Sequence, residues 1–217
     1  MSARLILAID TSFGPVSATL ATNSGVIGSV EADNPAGTQA ETLPPIVAKL
    51  FEGHDFKALA RVAVTVGPGA FTGVRVGLAF AKGMKLATDA QVLGFTTLDC
   101  LAAQAQATKP GRGVGAVIDA KRGEVYVQAF AGEAEPACNA GLLPIAEAAA
   151  LLRRTLGPKV LLTGSGAALL DGFDAVEIVP FNRIDTSLLA RRAVSADPAR
   201  YPAVPAYLRA PDARLPA

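Results

Sequence analysis

Two aspartates carry most of the chemistry this sequence could offer. Asp10 closes the apolar run Leu5-Ile6-Leu7-Ala8-Ile9 and is followed by Thr11 and Ser12, while Asp119 closes Ala116-Val117-Ile118. A carboxylate at a strand end, beside hydroxyl groups, can hold a hydrated metal ion and the phosphates of a nucleotide. Gly164-Ser165-Gly166 has no Cβ at its first and last residues, so its backbone can approach an adenosine closely. The same aspartates are equally suited to closing turns by accepting nearby backbone N–H groups. Other chemistry is thinly supplied. His54 is the single histidine and lies between Gly53 and Asp55, so neither an HExxH zinc site nor a histidine-dependent triad can be built around it. Gly67 to Gly73 lacks the lysine and hydroxyl residue that follow the last glycine of a Walker loop, and Pro68 removes one donor from the turn. Cys100 and Cys138 form no CxxC motif and read as reduced thiols.

These residues need elements to hold them. The run Leu5 to Asp10 and residues 16–21 and 26–31 read as three strands of an antiparallel meander, with turn signals at 12–15 and 23–25. Thr38-Gln39-Ala40-Glu41 has the form of a capping box, and Leu43, Ile46, Val47 and Leu50 share a face of the helix that follows. Pro44-Pro45 is expected to restart or kink that helix. A buried strand at 62–66 leads into a helix ending near Thr88, then a strand at 91–96 and a helix at 98–107. Lys109-Pro110-Gly111-Arg112-Gly113 breaks the pattern and divides the chain into units 1–108 and 109–217. The second unit repeats the first. The spacing from Asp10 to Gly14 recurs from Asp119 to Gly123, and a strand follows each glycine. The copy is degenerate, with a helix at 145–154, strands at 160–163 and 176–179 and a helix at 187–196. The tail from Tyr201 contains Pro202, Pro205, Pro211 and Pro216 and reads as an extended strap on the body. This order predicts an α/β protein of two lobes with mixed sheets of ribonuclease H type.

The most distinctive stretch is Gly67-Pro68-Gly69-Ala70-Phe71-Thr72-Gly73-Val74-Arg75-Val76-Gly77. Gly69, Gly73, Gly77 and Ala81 recur at intervals of four, although each interior glycine costs roughly 1 kcal/mol against alanine in a solvated helix. A closely approaching second helix, from this chain or another, would offset the cost. The composition adds bounds. Hydrophobic residues make up 51% and charged residues 18%, so a sizeable core is expected. With 20 basic and 19 acidic side chains the net charge is +1, giving no basic excess with which to grip nucleic acid alone. No apolar run approaches the ~18 residues of a membrane span, and a cytoplasmic protein is expected.

The segment Ile6 to Ser12, the run Gly67 to Gly77 and the tail Pro205-Ala206-Tyr207-Leu208-Arg209-Ala210-Pro211 together resemble the TsaB (YeaZ) family, from end to end of the chain. The resemblance implies two actin-like lobes. It also implies a non-catalytic accessory subunit for making N6-threonylcarbamoyladenosine beside the anticodon of tRNAs that read codons beginning with A. Its implied partner is TsaD, a paralogue holding the metal and active site, with the ATPase TsaE joining the assembly. A homodimer is expected when the chain is alone, and tRNA is touched at most indirectly. The implied interface is Leu43, Ile46, Val47, Leu50, Gly69, Phe71, Gly73, Val76, Gly77, Phe80 and Met84. Gln39 and Glu41 stand where TsaD carries histidines, so no metal or cofactor is expected. Asp10, Thr11, Ser12, Asp119, Gly164 and Gly166 would form a vestigial nucleotide cleft. The competing expectation is a working ATPase or small-molecule kinase of the actin-like superfamily, using Asp10 and Asp119.

Overall fold

A computed structural model describes residues 4–32, 38–173 and 175–209. The first half runs β1 (Leu5–Asp10), β2 (Val16–Thr22), β3 (Gly25–Ala32), α1 (Gln39–Leu50), β4 (Leu59–Thr65), α2 (Phe71–Thr88), β5 (Gln91–Phe95) and α3 (Thr97–Thr108). Its five strands form one sheet in the order β3-β2-β1-β4-β5, antiparallel through β1 and parallel beyond it. All six residues of β1 are buried, as befits a central strand covered on both faces. At the edge, β3 is mostly exposed.

The second half runs β6 (Val114–Lys121), β7 (Glu124–Phe130), β8 (Gly141–Pro144), α4 (Ile145–Leu156), β9 (Lys159–Thr163), β10 (Ala175–Val179) and α5 (Thr186–Ala193). Its sheet, ordered β8-β7-β6-β9-β10, has the pairing directions of the first. The duplication read from the two Asp-to-Gly spacings is thus a duplication of topology. β8 escaped the sequence reading because Gly-Leu-Leu-Pro is too short to show alternation. Among the described residues a large asymmetry follows β9. Where the first half places the 18-residue α2, the second has a three-residue 3-10 turn, Ala167–Leu169.

The halves exchange helices. α3 follows β5 but packs on β6, and α5 follows β10 but packs on β1 and β2. Ile6, Ala8, Phe95, Leu98 and Leu101 therefore share one core with Ala116, Ile118, Phe130, Leu161, Leu189 and Ala190. The tail lies along the first sheet as the prolines predict. Gly94 N donates to Tyr201 O (2.9 Å) and Ala206 N to Val66 O (2.8 Å), while Tyr201 stacks on Phe95 at 4.3 Å between centroids. Pro211 and Pro216 lie outside the described residues.

Two expectations about α1 are corrected. The helix neither restarts nor breaks at Pro44-Pro45 and is continuous from Gln39 to Leu50. Both prolines face solvent, so water can serve the carbonyls of Ala40 and Glu41 that lose their helical N–H partners. The capping box does not form, because no side chain caps the helix. Instead the Thr38 carbonyl accepts Glu41 N and Thr42 N, at 3.0 and 2.9 Å.

Candidate functional site

The end of β1 is where the sequence placed its first candidate acid, and the fold closes that place tightly. Asp10 is wholly buried. Its Oδ1 accepts Ser12 N at 3.0 Å and lies 2.9 Å from Ser12 Oγ, and it also accepts the Thr65 hydroxyl. Oδ2 accepts Phe13 N at 3.3 Å. Burial pushes the carboxyl above the usual aspartate range, and these hydrogen bonds oppose the rise. The group is engaged in holding its own loop.

Over that loop lies the first half of α2. Thr11 Oγ1 donates to Gly73 O at 2.6 Å, and Ala70 N donates to Ser12 O at 2.8 Å. A Cβ on Gly69 would strike Ser12 O, one on Gly73 would strike Thr11 O, and one on Gly77 would stand 2.6 Å from Thr11 Oγ1. The glycine ladder is thus the contact of α2 with residues 11 and 12 of the same chain. With the Thr11 hydroxyl and the Ser12 carbonyl bonded to the start of α2, and the Ser12 hydroxyl turned to Asp10 and Thr65, the loop presents no open cradle to a phosphate.

The second half also brings glycines against its strand end, although Asp119 there is only half-buried. A Cβ on Gly164 would strike Val117 O, and one on Gly166 would come within 2.9 Å of Asp119 N. Asp119 N donates to Ser165 Oγ at 3.2 Å. The Asp119 carboxylate is held by Lys121, with Nζ to Oδ2 at 2.5 Å and the Lys121 amide to Oδ1 at 2.8 Å, and these bonds draw its pKa below the usual range. The structure therefore gathers Asp10, Thr11 and Ser12 with Gly69, Gly73 and Gly77, and Asp119 with Gly164 and Gly166. At the junction of the halves, Gly14 lies against the backbone of Asn182 and Arg183, and Arg183 pairs with Glu31 at 3.1 Å. His54 is exposed in its loop.

Comparison with known proteins places this geometry. A family model described as TsaD: tRNA N6-adenosine threonylcarbamoyltransferase matches residues 35–163. The tRNA threonylcarbamoyladenosine biosynthesis protein TsaB of Escherichia coli is 34% identical over 122 residues, which are 56% of this chain and 52% of that protein. The chain thus spans about half the length of the curated relatives it matches. Among solved structures, YeaZ from Pseudomonas aeruginosa superposes with a TM-score of 0.74 at 24% identity, covering 94% of this chain and 99% of that one. The activator of 2-hydroxyisocaproyl-CoA dehydratase from Clostridium difficile, solved with bound ADPNP, shares the fold at a TM-score of 0.50 and 10% identity, covering 88% and 93%. The chain belongs to this family, in its TsaB (YeaZ) branch.

The fold is the actin-like pair of lobes that the resemblance implied. The implied interface needs correction. Leu43, Ile46, Val47 and Leu50 are buried in this chain's own core, where α1 packs on β2 and β3. Gly73 and Gly77 are buried against Thr11, and Gly69 abuts Ser12. Apolar periodicity marks the face that something covers, and here the sheet covers it. Val76, Phe80 and Met84 are half-buried at the margin of α2, and Phe71 is half exposed, with Arg75 3.8 Å above its ring and Tyr207 5.5 Å away.

The face of α2 that this chain leaves bare was missed. Ala79, Gly83, Leu86 and Ala87 are exposed, Leu86 at 88%, and a Cβ on Gly83 would meet nothing within 4 Å. Its signal was present in the sequence as a second run of small residues at intervals of four, Ala79, Gly83 and Ala87. Gly83 is an interior helical glycine with no internal neighbour to explain it.

Proposed function

We propose that this chain serves tRNA N6-threonylcarbamoyladenosine biosynthesis as a non-catalytic subunit that binds and stabilises TsaD, with TsaE joining the assembly. The observation that carries this reading is the closure of the Asp10 loop by α2. An actin-like kinase or ATPase needs room for phosphates at that strand end, and here Thr11, Ser12 and three glycines fill it. Asp10 has its oxygens engaged by its own loop and Thr65, and Asp119 is held by Lys121. Neither is poised as a general base or a metal ligand.

The partner surface we assign is the outward side of α1 and α2, corrected from the inward one. It comprises Pro44, Pro45 and Ala48 with Val76, Ala79, Gly83 and Leu86, all exposed or half-buried. Small residues at Ala79 and Gly83 let another helix approach closely, and Leu86 and Phe80 flank the notch as apolar anchors. With no partner available, the same face would pair two copies of the chain. Cytoplasmic residence accords with the proposed pathway, and no helix among the described residues is long and apolar enough to cross a membrane.

Titration calorimetry of the isolated chain with Mg-ATP tests the reading. A scaffold gives no saturable heat and no ADP. One-to-one binding in the micromolar range, with turnover, would replace it with the kinase or ATPase reading.

A further inference from the structure

A cleft of about 660 Å³, within the size range of small-molecule sites, opens away from both aspartates of the strand ends. Its walls come from β5 and the start of α3, from β7 and residues 133–136, and from the end of α5 with the tail. Two ion pairs face it. Asp99 Oδ1 and Arg192 Nη2 are 2.9 Å apart and largely buried, with 13% and 21% of their side chains exposed. Glu135 Oε2 and Arg200 Nη2 stand 3.5 Å apart at the rim, each 63% exposed. The pairs sense one another, since Glu135 and Arg200 both act on the Asp99 carboxyl.

The inner pair is incomplete. Asp99 Oδ2 and Arg192 Nη1 are buried without a hydrogen-bond partner, although buried charged atoms are costly to leave unpaired. One vacant acceptor and one vacant donor thus sit behind the cleft wall, and a second acid and base stand loosely coupled at its mouth. Residues 133 and 134, on the same wall, are non-glycine residues with φ of 64° and 56°, a backbone form that costs energy and clusters at binding sites.

From this arrangement we propose that the cleft binds a small zwitterion, a free α-amino acid or its close derivative. Its ammonium group is taken by Asp99 and Glu135 and its carboxylate by Arg192 and Arg200. The ligand slips between Glu135 and Arg200, whose separation is long for a hydrogen-bonded pair, and a small rotation of Asp99 and Arg192 brings their unused atoms to it. A ligand with a single charge leaves one partner of each pair unmatched. Glu133 and Asp197 add two acids to the lining, which disfavours a phosphate-bearing occupant. Tyr201, stacked on Phe95, and Gln128 complete the wall.

The test is amide and arginine-Nε NMR titration of the full chain with glycine, L-glutamine and L-arginine, each against acetate and methylamine as single-charge halves. The expected result is saturable shifts at residues 132–136 and Arg192 Nε with millimolar affinity for at least one amino acid, and none with either half. The exposed rim changes Glu135→Gln and Arg200→Ala should each weaken that binding at least fivefold while the rest of the spectrum stays native. Absence of saturable shifts up to 50 mM, equal shifts from acetate or methylamine alone, or unchanged binding in both variants would overturn the proposal. The last outcome would leave the unpaired atoms to ordered water.

Discussion

Gly73 and Gly83 sit in one helix, ten residues apart, and the structure gives them opposite duties. Alanine at Gly83 adds a methyl group that meets nothing within 4 Å, so the change exchanges a poor helix former for the best one. The expected gain is about 1 kcal/mol, or roughly 2–4 °C in Tm for a chain of this size. Alanine at Gly73 gains the same propensity but drives its Cβ into the carbonyl oxygen of Thr11, a backbone atom in a buried loop that cannot swing aside. Overpacking costs about 1–3 kcal/mol, and a fixed backbone neighbour puts this site at the upper end. The net loss is roughly 2 kcal/mol, a spread of about 3 kcal/mol between two identical substitutions. Urea unfolding followed by circular dichroism measures it, with unchanged m-values required for the comparison. A Gly73→Ala variant as stable as the parent would refute the packing of α2 on the Asp10 loop. A destabilised Gly83→Ala variant would refute the solvent exposure of the outer notch.

Two further outcomes follow from buried charge. Removing one partner of the Asp99–Arg192 pair, as in Arg192→Met, should cost on the order of 3 kcal/mol by stranding the other charge, whereas Asp99→Leu with Arg192→Met should recover most of it; equal losses in urea unfolding for single and double variants would contradict this. Asp10→Asn tests the raised carboxyl. Because the folded pKa lies above the unfolded one, the stabilising contribution of Asp10 is fully present below the unfolded value near 3.8 and is lost as pH rises through the folded value. Parent stability relative to the variant should therefore increase as pH falls from 7 toward 4, and a flat or opposite trend in unfolding free energy would show that Asp10 is not held by burial.

Much of the fold was legible because the strands follow strong rules. The apolar run ending at Asp10, its echo ending at Asp119 and the matching glycines Gly14 and Gly123 disclose the duplication. The exchange of α3 and α5 between halves was not legible, since periodicity says that a helix has a buried face but not which sheet buries it. That ambiguity also misdirected the interface. Leu43, Ile46, Val47 and Leu50 spell a covered stripe in either case, and the ladder from Gly69 to Gly77 required a close neighbour without saying that it was Thr11 and Ser12. The second ladder, Ala79-Gly83-Ala87, was equally visible but overlooked because it carries few large apolar residues. The disruptive effect of the α1 prolines depends on a solvent exposure that the dipeptide alone does not reveal.

The central claim is that the bare side of α2 is where a partner attaches. It is tested most directly by the affinity of the chain for TsaD, measured by sedimentation velocity with Leu86→Asp beside the parent. Leu86 is 88% exposed, so the substitution leaves the free fold intact and places a charge only in the assembled contact. A loss of about 2 kcal/mol, roughly thirtyfold in Kd, is predicted, with an unchanged circular dichroism spectrum. An affinity within twofold of the parent would contradict the account.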